Sequence, residues 1–123
     1  MSAHHPPDHD WHCGVGFAIP DLDGVNCWGG RTYVHGEGYV WRDDHGSATV
    51  VHAEHHGASL QQEVAWHGPD DRVVLREDRT VAWRQVDTGW ELTWSSSFRL
   101  SGDAVVRLGG PGSNGRVGAG YGG

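Results

Sequence analysis

Hydrophobic and polar residues alternate most regularly along residues 90–100. Because the side chains of a β-strand point alternately to its two faces, this period of two predicts a strand with one apolar face. A similar alternation runs through residues 60–66 and 73–83, with turn-forming residues between the segments. The apolar positions of the first segment, WELTWSSSFRL, are Trp90, Leu92, Trp94, Phe98 and Leu100.

No stretch carries a 3.6-residue apolar stripe over the length of a helix, and glycines interrupt every candidate window. Consecutive strands with short turns predict an all-β fold, an antiparallel β-sandwich or a closely related barrel. With 123 residues the chain forms one domain at most. We expect a disordered N-terminal segment at residues 1–7, an antiparallel β domain at 8–108, and a Gly-rich loop or tail at 109–123.

Two charged residues interrupt the apolar face of the strand predicted after residue 72. Val73, Leu75, Val81 and similar positions alternate regularly, but Glu77 and Arg79 fall on the same face. A buried charge must be paired, since an isolated one is very costly. The residues therefore form a structural ion pair, turn to solvent at a β-bulge near Asp78, or form a polar patch that meets a ligand.

Charge and composition exclude several classes of partner. The chain has 16 acidic residues, 9 arginines and no lysine, for a formal charge of −7. That balance disfavours nucleic acids and anionic membranes, which need a basic surface. No apolar run is long enough to span a bilayer, and the N-terminus does not look like a secretory signal. We therefore expect a cytoplasmic protein whose two cysteines, Cys13 and Cys27, are reduced.

Ten histidines are the most unusual feature of the composition. His9 and His12 flank Trp11 just before an apolar stretch, which is where scaffolds often place ligand-contacting groups. Neutral imidazoles there could act as general acid or base or bind a metal, and it is equally possible that they simply lie in a solvated surface loop. His52, Glu54 and His56 are spaced by two and share one strand face. A metal site is possible there, although such a face is more often simply solvated.

Four ordered blocks resemble the PmoA-like family, whose label is methane oxygenase. They are DHDWHCGVGFAIPDLDGVNCWGGRTYV, GYVWRDDHG, VLREDRTV and SNGRVGAGYGG. The resemblance implies a mutarotase-like supersandwich, which is a soluble fold. It also implies that the chain is truncated at both ends, so that exposed sheet edges pair with another chain. In that family the C-terminal run is a loop, so Asn114, Arg116 and Tyr121 would reach a ligand.

The first functional hypothesis is that the protein binds or acts on a sugar and uses no cofactor. Trp11, Trp28 and Trp41 offer flat apolar faces for sugar C–H groups, whereas Trp83, Trp90 and Trp94 are expected in the core. Mutarotase-like chemistry needs one acid and one base across the sugar ring. The predicted catalytic residues are His9 or His12 as the acid and Glu77 as the base. The predicted substrate-binding residues are Trp11, Trp28, Arg79, Asn114, Arg116 and Tyr121.

Two alternatives remain open at this point. The family label implies a metal-dependent oxidoreductase with copper or non-haem iron, for which Asp8, His9, His12 and His35 are the candidate ligands. Two histidines and one carboxylate suffice chemically for non-haem iron. The second alternative is a non-catalytic, truncated domain.

Overall fold

The structure is a computed structural model that describes residues 15–102 and 105–119. The described residues contain no helix and form antiparallel strands only, which confirms the predicted all-β, sandwich-like class. None of them therefore belongs to a helix that could cross a membrane. The strands are β1 (Asp21–Leu22), β2 (Thr32–Val34), β3 (Gly38–Val40), β4 (Ser47–His56), β5 (Ser59–His67), β6 (Val73–Val86), β7 (Gly89–Leu100) and β8 (Leu108–Gly109).

A four-stranded meander in the order β4-β5-β6-β7 forms the body of the fold. Its three long C-terminal strands are those that the alternating pattern predicts. The β4–β5 turn places Gly57 at φ 57°, a left-handed conformation that glycine adopts without steric cost. Glu77 pairs with Val64 and Phe98 on the neighbouring strands, and no register shift occurs near Asp78. The bulge expected at Asp78 is therefore absent, and the irregularity of this ladder lies at Trp66 and His67 instead.

Two small sheets complete the described fold. β2 and β3 form a hairpin, and β1 pairs with β8. Two apolar stretches contribute little to these sheets. Residues 15–19 are irregular despite their apolar sequence, and the stretch before Gly109 contributes only the two residues of β8. Their apolar side chains pack from irregular segments, so hydrophobic character alone overestimated the strand content here.

The core occupies one end of the meander. Phe17 packs edge-on against Trp66 and lies beside Phe98, with both ring centroids 6.0 Å away. The segment that contains Phe17 therefore covers this end of the apolar face. The buried apolar cluster consists of Ile19, Leu22, Val64, Trp66 and Leu75.

The other end of the same apolar face is not covered by any of the described residues. Trp90 is 63% exposed, and Leu92 is exposed as well. Trp83 and Trp94 are only partly buried. The expectation that Trp83, Trp90 and Trp94 belong to the core is therefore wrong for the described part of the chain. Alternation showed which residues share a face, but it carries no information on what covers that face.

The described part of the Gly-rich region packs back on the domain. Residues 110–119 form a series of turns. Within them, the Asn114 side chain donates a hydrogen bond to the Asp21 carboxylate over 3.0 Å. This contact fastens the segment to β1 and brings Arg116 to the β2–β3 hairpin. Through residue 119 the region is thus a loop held against the fold.

Candidate functional site

Glu77 and Arg79 form a structural ion pair on the apolar face of the meander. The Glu77 side chain is fully buried, and Arg79 donates to both carboxylate oxygens, from Nε and Nη2, over 2.8 Å each. Trp66 Nε1 and the Ser96 hydroxyl supply two further donors. Arg79 also stacks 4.7 Å from the ring centroid of Trp94. The charged interruption in the sequence is thus satisfied internally, as buried charges require.

The hydrogen bonds set the protonation state of Glu77. Burial alone raises the pKa of this carboxyl, but hydrogen bonds from Arg79 and Ser96 and the charge of Arg79 outweigh it and lower the pKa. A carboxylate held by four donors takes up a proton poorly at neutral pH. A substrate would also have to displace those donors to reach it. The role of Glu77 as a general base stays a prediction, and the geometry does not favour it.

Several predicted site residues lie outside the described residues. These are the candidate acids His9 and His12 and the aromatic residues Trp11 and Tyr121. Asp8 of the alternative metal set and Cys13 also lie there. Whether the two histidines face Glu77 and Arg79 across one hollow therefore stays a prediction.

Arg116, in contrast, meets the β2–β3 hairpin. Its Nη1 donates a hydrogen bond to the Tyr39 hydroxyl over 2.6 Å, and its guanidinium carbon lies 5.2 Å from the centroid of the Tyr39 ring. Arg116 is exposed. Of the predicted substrate-binding residues, Arg116 contacts an exposed aromatic ring, whereas Arg79 is engaged inside the sheet. Among the described residues, no hydrogen bond or ring contact links the neighbours of Arg79 to those of Arg116.

The hairpin presents a row of aromatic rings on one face. Tyr33 and Tyr39 are register partners, and their ring centroids lie 5.5 Å apart at an angle of 70°. Trp41 follows two residues after Tyr39, one residue beyond the end of β3, and it is 66% exposed. Arg31 lies 5.8 Å from the centroid of the Trp41 ring. We call this surface the hairpin platform; it consists of Arg31, Tyr33, Tyr39, Trp41 and Arg116.

A buried asparagine braces the chain that leads into the hairpin. Asn26 is 1% exposed, and its Nδ2 donates to the Gly30 carbonyl and to the Thr32 hydroxyl. Its Oδ1 accepts from the backbone N–H groups of Trp28 and Gly29. Every polar atom of the Asn26 side chain is thus used to fix the loop before β2. The loop that leads into the platform is therefore held by four side-chain hydrogen bonds, and such support helps to position a binding site.

Trp28 lies beside this loop with one ring face covered. A Cβ added to Gly30 would lie only 2.0 Å from the Trp28 ring, so the Gly30 backbone is in close contact with the indole. The indole is nevertheless 44% exposed. Part of the Trp28 indole is thus open to solvent, and its role as an aromatic contact residue stays a prediction.

The histidine-rich strand face of β4 does not form a metal site. His52 and His56 each place Nε2 near a different oxygen of Glu54, at 3.1 and 3.2 Å. Hydrogen bonds from both imidazoles lower the pKa of Glu54. Across residues 15–102 and 105–119, no three His, Cys, Asp or Glu side chains are arranged to hold a metal ion. His35, the described member of the alternative ligand set, is exposed beside Gly115.

A separate cleft of about 470 Å³ lies next to β1 and β8. Phe17, Ile19, Pro20 and Leu108 form its apolar walls, and Ser113 is its side-chain polar group. Since none of its lining residues is ionisable, the cleft has no group suited to acid–base chemistry.

Trp41 and Arg116 were predicted to contact a ligand, but Arg31, Tyr33 and Tyr39 were not, although the sequence contains a pattern that predicts their position. In RTYVHGEGYVW, Arg31 and Tyr33 precede a Gly-Glu-Gly turn, and Tyr39 and Trp41 follow it at matching positions. Cross-strand neighbours in a hairpin lie within contact distance on one face. The symmetry of this segment therefore predicts the aromatic cluster.

The geometry can be compared with known families. The profile of a family of unknown function, DUF6807, matches residues 1–123. The chain belongs to DUF6807. The resemblance to the PmoA-like family is therefore wrong, because no PmoA-like family matches and the matching family carries no methane oxygenase label. No curated protein and no solved structure matches the chain.

Proposed function

We propose that this member of DUF6807 binds a carbohydrate on the hairpin platform. The observation that carries the proposal is the exposed aromatic row of Tyr39 and Trp41, with a guanidinium stacked on each ring. Flat rings accept the apolar C–H faces of a sugar, and neighbouring donors bind its hydroxyl groups. The donors available there are the two guanidiniums and the tyrosine hydroxyls. A sugar hydroxyl that accepts a hydrogen bond from Arg116 would compete only with the bond from Arg116 to Tyr39 among the described residues.

The contacts that hold Tyr39 and Trp41 favour a ligand-binding surface over an ordinary solvated one. Tyr39 is held by its edge-on contact with Tyr33 and by the hydrogen bond from Arg116. Trp41 lies against His45, with ring centroids 5.8 Å apart. Rings that already make such contacts lose less conformational entropy on binding a ligand than rings without them.

The proposal is limited to binding. Catalysis on the sugar, with His9 or His12 as acid and Glu77 as base, stays a prediction, because the histidines lie outside the described residues. Metal-dependent oxidation has no support among the described residues, where no metal-binding group occurs. The cytoplasmic location also stays a prediction.

Titration of purified protein with a panel of oligosaccharides, followed by tryptophan fluorescence and calorimetry, tests the proposal. Trp41→Ala should weaken binding by about tenfold or more, because it removes a central aromatic contact. Trp90→Ala is the matched control, since Trp90 is 63% exposed against 66% for Trp41 but lies on the meander. It should bind as the wild type does. Equal loss in both variants, or no binding by the wild-type protein, would overturn the proposal.

A further inference from the structure

The two arginines of the hairpin platform differ from most arginines of the chain in lacking a carboxylate partner. No ion pair joins Arg31 or Arg116 to any described residue, although each lies on an exposed aromatic ring. Five of the nine arginines, in contrast, form ion pairs with described carboxylates. These are Arg42, Arg72, Arg79, Arg84 and Arg99.

Each platform guanidinium also has N–H groups left to donate. Arg116 uses Nη1 for the Tyr39 hydroxyl, which leaves the edge formed by Nε and Nη2 without a partner among the described residues. Arg31 makes no hydrogen bond to any described residue. A guanidinium edge matches the two oxygens of a carboxylate, and such paired, charge-assisted hydrogen bonds are strong.

The spacing of these groups suits a ring with an attached carboxylate. Tyr39 lies on β3, and Trp41 lies two residues later, one residue beyond the end of that strand; two residues of extended chain span about 6.6 Å. One ring can therefore stack with a sugar while the guanidinium over the next ring reaches a substituent of that sugar or of its neighbour. This arrangement combines an apolar contact with an anion-binding group in a single short surface.

We infer that the hairpin platform selects acidic sugars, that is, oligosaccharides containing uronic acid residues. The inference rests on the proposed carbohydrate-binding function and deepens it. The carboxylate of the sugar binds the free guanidinium edge of Arg116 or Arg31, and the pyranose ring stacks on Tyr39 or Trp41. The carboxylate of the sugar is then the ion-pair partner that neither arginine has among the described residues.

The formal charge of −7 limits the size of the ligand. Charges more than about 8 Å away are largely screened at physiological ionic strength, so the local cations dominate for a short ligand. A long polyanion would also meet the acidic remainder of the surface. The site is therefore suited to a short acidic segment or to the end of a chain, and its binding weakens as salt is added.

Calorimetric titration with trigalacturonic acid and with neutral galactotriose tests this inference. The wild-type protein should bind the acid at least about tenfold more tightly than the neutral trimer at low salt. Arg116→Gln and Arg31→Gln should each reduce this preference, and added salt should reduce it too. Arg76→Gln is the control, because Arg76 is exposed on the opposite face of the meander and forms no ion pair with a described residue.

The outcomes separate the inference from the function on which it rests. Equal or tighter binding of the neutral trimer, with loss in Trp41→Ala, overturns acid selectivity and leaves carbohydrate binding intact. An acid preference that persists in both arginine variants also overturns the inference. If Arg116→Gln disturbs Tyr39, the Arg31→Gln variant remains decisive, since Arg31 makes no hydrogen bond within the described structure. Binding of neither trimer nor of any other sugar would overturn the proposed function itself.

Discussion

Arg79 forms a bidentate ion pair with Glu77, which lies two residues earlier on the same strand. Its Nε and Nη2 each lie 2.8 Å from a different carboxylate oxygen. Glu77 is fully buried and Arg79 is largely so. A carboxylate at the border of a small apolar core is thereby neutralised by its own strand. The pair also connects β5 and β7, because Trp66 and Ser96 donate to the same carboxylate. The network therefore ties three strands together.

Removing the charge of Glu77 should destabilise the domain. In Glu77→Gln the Arg79 guanidinium stays largely buried without its anion, so we expect a loss of about 3 kcal/mol in the free energy of unfolding. Urea denaturation monitored by tryptophan fluorescence measures this change. The control is Glu91→Gln, which breaks an equally well-formed but exposed pair with Arg84. If both variants lose the same stability, burial of the Glu77 pair is not what makes it important.

The same pair should make stability depend on pH in the acidic range. The folded state lowers the pKa of Glu77 below its usual value near 4.3, so the unfolded state binds a proton more readily. Its contribution is therefore complete above the pKa of the unfolded state and is lost as the pH falls through the lower pKa of the folded state. Urea midpoints should differ between wild type and Glu77→Gln at neutral pH and converge in acid. A difference that stays constant down to pH 3 would contradict this linkage.

Cys27 should be a slow nucleophile in the folded protein. It carries a free thiol, and burial raises its pKa to about 11. In a Cys13→Ser background, iodoacetamide at pH 8 should alkylate folded protein roughly a hundredfold more slowly than urea-unfolded protein. The rate should continue to rise with pH beyond the range in which an ordinary thiol saturates. Equal rates for folded and unfolded protein would show that Cys27 is not shielded.

Association through sheet edges stays a prediction from the sequence, and the structure supplies the strands on which to test it. Neither β4 nor β7 has a second strand partner among the described residues. A charge placed on an edge strand opposes edge-to-edge pairing. Thr93→Lys on β7 should therefore reduce concentration-dependent association in sedimentation velocity. Gln61→Lys, an exposed position on the internal strand β5, is the control. A wild-type chain that stays monomeric at all concentrations would end this prediction.

The long strands could be predicted because their information is local. Alternation over residues 90–100 and 73–83 correctly placed β7 and β6, and even the charged interruption at Glu77 was visible. What covers an apolar face is not local, which is why Trp90 was expected in the core but is exposed. Residues 15–19 are apolar yet form no strand, because apolar residues pack equally well from an extended or an irregular conformation.

The candidate site was only partly predictable for a related reason. Arg116 was expected to contact a ligand, but its partner Tyr39 lies 77 positions earlier in the chain. Such a contact depends on how the Gly-rich loop folds back, to which the hydrogen bond between Asn114 and Asp21 and the turns of the loop itself contribute. Composition drew attention to histidines and tryptophans, whereas the exposed aromatic surface of the hairpin is built largely from tyrosines and arginines.

Indole N–H resonances in a ¹⁵N-labelled sample report on sugar binding at the hairpin platform residue by residue. Each tryptophan gives one such signal, and single Trp→Phe variants assign those of Trp41, Trp66 and Trp90. On titration with the tightest-binding oligosaccharide, we expect a saturable shift of the Trp41 signal, with those of buried Trp66 and of Trp90 on β7 unchanged. A saturable shift of Trp90 with Trp41 unmoved would contradict the account, as would the absence of any shift across the panel.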